Sequence, residues 1–130
     1  MNRTRKRSGA AIVELAVCLP TILLLVCASI ECCSMMFLQQ SLTVCSYEGT
    51  RQAIKFDATN SKVTTACNDL LTNRRVKYGT VTLVPADVSS VPRGNTITVQ
   101  VTAPCAANSW MPYWFFRNRN VVAKSTMVKE

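Results

Sequence analysis

The residues able to do chemistry in this 130-residue chain are seven cysteines, seven carboxylates and fifteen cations; there is no histidine. Without imidazole there is no histidine general base, no Ser–His or Cys–His nucleophile and no imidazole metal site. The remaining acid–base candidates are Asp57, Asp69 and Asp87 with the serines around them, and no spacing among them builds a catalytic set. No catalytic residue, cofactor or metal site and no small-molecule substrate is therefore expected, and the composition argues against an enzyme.

The cysteines sort by their surroundings. Cys18 and Cys27 lie in the longest apolar run and serve as small apolar residues. Cys32 and Cys33 are adjacent, and the short paired spacings of zinc sites are missing. Cys67 and Cys105 stand in the C-terminal half, where an oxidising compartment would allow them to pair. Such a disulfide closes a loop of about forty residues and would contribute about 3 to 4 kcal/mol. Cys45 is the main competing partner.

Net charge is +8, and half of it comes from Arg3, Arg5, Lys6 and Arg7. The other cations, Lys129 among them, are scattered without the dense cluster or fold motif of a nucleic-acid binder, so no nucleic-acid partner is expected. Arg74, Arg75 and Lys77 read as a solvated helix end, where cations suit the macrodipole.

Residues 10–30, AAIVELAVCLPTILLLVCASI, supply the roughly 20 residues that a helix needs to cross about 30 Å of hydrocarbon. The cationic flank MNRTRKRSG keeps the N-terminus in the cytoplasm and sends the remainder across the inner membrane. Pro20 is tolerable because local adjustment satisfies the freed carbonyl. A cleavable secretory signal is the competing reading, given the basic start and the small residues near Val26 and Ala28. Against it stand a carboxylate inside the apolar run and helical character that continues beyond Ile30. A lipoprotein signal at Cys27 is weaker, because Val26 occupies the place of a small residue. The carboxylate, Glu14, costs several kcal/mol if isolated in lipid, so it is expected to be protonated, at headgroup depth, or paired with a cation.

The stretch SGAAIVELAVCLP resembles the processing site of type IV pilin-like proteins, where a prepilin peptidase cuts after glycine and leaves glutamate fifth in the mature chain. The resemblance narrows to the TadE-like proteins, minor pilin-like components of tight-adherence (Flp) pilus systems. It rests on GAAIVELAVCLP, on YEGTRQA at 47–53, on a β-rich C-terminal half and on the terminal KSTMVKE. It implies a cut between Gly9 and Ala10, loss of the leader 1–9, and Glu14 as the determinant of assembly register. A new α-amine at Ala10 has a reference pKa near 8. Its attraction to a Glu14 carboxylate, of a neighbouring subunit or of its own chain, is on the order of 4 kcal/mol before desolvation. The implied partners are the membrane, a prepilin peptidase and other pilin-like subunits or assembly machinery. Leu15 departs from the tyrosine common after this glutamate in the major Flp pilin, and the appended domain disfavours the filament subunit itself.

The elements that must position these residues follow from periodicity. Residues 31–56 lack proline and repeat apolar side chains at Met35, Leu38, Leu42, Cys45 and Ala53, which predicts a stalk continuous with the span. Such a helix would be about 70 Å long. Gly49 costs it roughly 1 kcal/mol relative to alanine and marks either a fray point or a close approach by another backbone, the second being preferred. A second helix is predicted over 62–73, with Ser61 as N-cap and Val63, Ala66, Cys67, Leu70 and Leu71 on one face. Strands are predicted over 80–84, 96–102 and 121–128. Together they form an α+β extracytoplasmic domain over 57–130, a small antiparallel sheet covering the stalk and the second helix, with strand order open. Between the last two strands, Trp110, Tyr113, Trp114, Phe115 and Phe116 form either a contact loop or the completion of a small core. The expected function is a non-enzymatic minor pilin-like subunit that helps prime or assemble a Tad/Flp-type pilus. The rival is an anchored envelope-binding or structural protein unrelated to pili.

Overall fold

The computed structural model describes residues 5–110 and 118–130. A single helix, α1 (Arg5–Ala53), runs for 49 residues, about 74 Å at 1.5 Å per residue. It is followed by α2 (Asn60–Asn73), β1 (Thr80–Val84), β2 (Thr96–Pro104), the one-turn α3 (Cys105–Asn108) and β3 (Asn120–Val128). The class is α+β, as the sequence predicts. Pro20 lies inside α1 without ending it, whereas the helix stops three residues short of the predicted Phe56.

The two halves of α1 live in different surroundings. From Ile12 to Ile30 its large apolar side chains are exposed on every face. From Glu31 onward burial is restricted to one stripe, Glu31, Met35, Leu38, Ser41, Leu42, Cys45, Ser46, Gly49, Thr50 and Ala53, recurring every three or four residues. The five apolar stalk positions named from the sequence all fall in this stripe. The small and polar members were not legible as core, yet they let the sheet come close. Thr50 Oγ1, for example, donates to the Ser46 carbonyl at 2.7 Å and to the Ser125 carbonyl of β3 at 3.2 Å.

The sheet is an antiparallel meander in the order β1-β2-β3. Thr80 to Val84 of β1 pair with Thr102 to Thr98, and β2 pairs along its whole length with β3, from Thr96 opposite Val128 to Pro104 opposite Asn120. This is the simplest order, since strands that follow one another in sequence pair most readily, here across links of 11 and 15 residues. Period-two alternation puts Ile97, Val99, Val101 and Ala103 of the central strand on the inner face. Leu38, Leu42 and Cys45 of α1 and Val63, Cys67 and Leu71 of α2 join them in one core. The hydrocarbon-sized half of α1 thus continues into a half that is the domain's own central helix.

α2 is capped differently from the sequence expectation. Its N-cap is Thr59, whose hydroxyl accepts from Lys62 N, and the helix begins at Asn60 and not at 62. Position 60 is needed elsewhere. The Asn60 amide donates to the Ala86 carbonyl at 2.8 Å, and its Oδ1 accepts from Val88 N at 2.9 Å, tying the β1–β2 link to the helix start. The far end closes in a Schellman motif: Val76 N donates to the Leu71 carbonyl and Arg75 N to that of Thr72. Arg75 takes the left-handed conformation (φ 56) that this motif usually gives to glycine.

A side chain in that region costs roughly 1–2 kcal/mol. Arg75→Gly is therefore expected to raise the melting temperature of the full chain in detergent by several degrees, measured by circular dichroism. A lowered melting temperature would show that the arginine side chain outweighs its backbone strain.

Candidate functional site

The candidate site begins where α1 begins. Gly9, Ala10 and Glu14 are all exposed on this one helix. A Cβ built at Gly9 meets nothing within 4 Å, so the fold makes no demand for glycine there. Ala10 and Glu14 are four residues apart, hence on one face and a turn away from each other. An amine at position 10 and the carboxylate at 14 would be neighbours in one chain and equally available to a second helix laid alongside. Among the described residues no side chain of the α+β domain covers this end, since burial on α1 starts only at Glu31.

Past the span, the site-bearing helix is locked to the domain at Gly49. A Cβ at this position would lie 2.5 Å from Cys67 Sγ and 3.1 Å from Val99 Cγ1, so α2 and β2 both approach the stalk where it has no side chain. Close approach, and not fraying, is what Gly49 provides.

The three domain cysteines do not meet as first expected. Cys67 lies against Cys45: the Cys45 thiol points at the Cys67 carbonyl at 3.4 Å, and the Cys67 thiol at the Cys45 carbonyl at 3.7 Å. Their shared thiol hydrogen bond, then burial, pushes the Cys45 thiol well above the usual range. Cys105 is also buried, which raises its thiol, but it sits elsewhere. It stands six residues along the chain from Val99, about 20 Å at 3.3 Å per extended residue, and lines a groove with Met35, Met36 and Gln39 near the start of the stalk. A Cys67–Cys105 disulfide is incompatible with this register. All seven thiols are free in the structure.

That groove, about 370 Å³ with Arg119 and Val122 on its other wall, was not foreseen. Its lining comes from elements far apart in sequence: α1, Cys105 of α3 and the segment that opens β3. Of the aromatic segment, Trp110 is 84% exposed; Tyr113, Trp114, Phe115 and Phe116 lie outside the described residues. Lys129, one of the scattered cations, is buried, with its ammonium donating to the Val88 carbonyl at 2.9 Å. No periodicity could announce this, because its carbonyl partner carries no side-chain signal. Asn108 acts similarly, accepting from Lys77 N at 2.7 Å and donating to its carbonyl at 2.9 Å.

An exposed apolar helix of spanning length near the N-terminus, continuous with the core helix of a small α+β domain, defines the class: a helix-anchored α+β protein. Residues 9–51, about a third of the chain, match the family model described as TadE-like protein. No curated protein and no solved structure gives a match. The match starts at Gly9 and ends two residues before α1 does, so it covers the anchor and stalk and leaves out α2 and the sheet.

Replacing Gly49 by valine forces branched carbons into the space of Cys67 and Val99. Overpacking of this kind typically costs about 1–3 kcal/mol, more than the few tenths that valine's better helix propensity returns. Gly49→Val is expected to lower the midpoint of denaturation by urea of the full chain in detergent; an unchanged midpoint would contradict the close packing.

Proposed function

We propose that this chain is a non-enzymatic, minor pilin-like membrane subunit that helps prime or assemble a Tad/Flp-type pilus. The observation that carries the reading is the TadE-like match over residues 9–51, which opens on Gly9 and includes Glu14. In this reading the N-terminus is cytoplasmic, α1 crosses the inner membrane, and the α+β domain stands on the extracytoplasmic side. A prepilin-type peptidase cuts between Gly9 and Ala10.

The cut has a physical consequence. It makes a cationic amine at Ala10, with a reference pKa near 8, and leaves Glu14 close to the new helix start, where the macrodipole favours a carboxylate. An apolar helix that carries one cation and one anion a turn apart packs best against another helix in the register that pairs them. The partners are then other pilin-like subunits or the assembly machinery, and the recognition elements are the helix face and this charge pair.

Co-expression with the cognate peptidase tests the proposal by intact mass. The expected product lacks residues 1–9 and starts at Ala10. Gly9→Val keeps the full mass while leaving the fold intact, since position 9 is open to a side chain. Glu14→Ala is expected to be inserted in the membrane normally but to reduce pilus assembly. An uncut wild-type chain, or an insertion defect in Glu14→Ala equal to its assembly defect, would contradict the reading.

A further inference from the structure

We propose that Cys45 and Cys67 are a disulfide site that clamps α2 onto the stalk. Each sulfur lies beside the other residue's main chain, at 3.4 and 3.7 Å from the carbonyl oxygen, so the two backbones approach reciprocally. That is the relation a disulfide needs, with Cα atoms typically about 5.5–6 Å apart and the side chains directed at each other. Both residues are completely buried. They meet where Gly49 removes the side chain that would otherwise separate α2 from α1, since a Cβ there would overlap Cys67 Sγ.

No other cysteine competes at this place. Cys18, Cys32 and Cys33 are exposed on α1 and Cys27 is partly so, all at least twelve residues from Cys45 along one rigid helix. Cys105 packs near Met35 and Gln39, six and more residues down the stalk. The fold therefore isolates one pair from five other thiols, and disulfide formation has a single native outcome.

The bond forms by thiol–disulfide exchange while α2 is docking, because the finished core excludes reagents. The two S–H bonds break and one S–S bond forms. The pair gives up two electrons and two protons to the disulfide of the oxidant, which leaves as two thiols. In cells the oxidant is a protein disulfide of the extracytoplasmic side, so the cellular event rests on the location proposed above. The pairing itself rests on the fold alone.

The test uses the full chain in detergent, reduced and unfolded in urea, then refolded with oxidised and reduced glutathione. After acid quenching and alkylation, trypsin should release residues 63–74 joined to residues 8–51, two hydrogens below the sum of the two peptides once the alkyl groups on Cys18, Cys27, Cys32 and Cys33 are included. The link should persist in Cys105→Ala and vanish in Cys45→Ala. The oxidised wild type should melt about 10 °C above the same chain reduced, a comparison that needs no variant to fold. Alkylation of Cys67 in nearly every molecule, or a link that survives in Cys45→Ala, would overturn the pairing. Protease access in spheroplasts reports location separately. A reduced pair in a domain shown to lie outside would also overturn the proposal. A domain found in the cytoplasm would refute the location, and the glutathione experiment would still decide the pairing.

Discussion

Everything in this molecule depends on one helix meeting two solvents. From Ala10 to Ile30, with Glu14 the one charged residue, α1 is apolar on every side, as a segment facing hydrocarbon must be. After Glu31 the same helix must present a single apolar stripe to a sheet and a second helix while its other face meets water. The change occurs without a break in backbone hydrogen bonding, so the domain does not hang from the anchor by a linker. Its central helix is the anchor.

That constraint explains where small residues fall. The sheet and α2 can share one helix only if both come near its axis. Ser41, Ser46, Gly49, Thr50 and Ala53 provide the room, and Cys67 occupies the space that Gly49 leaves. Larger side chains, Leu38 and Leu42, fill the wider region of the core with Ile97, Val99 and Val101. A consequence for function is mechanical. A displacement of the anchor along its axis is transmitted to the domain, because the two share one unbroken helix.

Much of this was legible in the sequence because it rests on patterns that a chain must carry in its side chains. The span, the stalk stripe and the three strands are written in periodicity; β1 falls on the predicted residues, while β2 extends two residues further and β3 starts one earlier. What escaped was set by partners distant in sequence. Thr59 and not Ser61 caps α2, since starting the helix at Asn60 also secures the β1–β2 link. Cys67 faces Cys45 because the meander carries Cys105 to the far end of β2. Lys129 is buried on a backbone carbonyl, which no residue type advertises. Near the start of α1 the reverse holds: Gly9, Ala10 and Glu14 were named from sequence alone, and the fold adds that they share an uncovered helix end.

Amide hydrogen exchange of the full chain in lipid nanodiscs tests the shared helix most directly. Residues 38–53 of α1 should exchange as slowly as residues 97–103 of β2 and be released with them in one cooperative opening. Residues 38–53 exchanging orders of magnitude faster than the sheet would contradict the account, for the stalk would then be a tether and not the core of the domain.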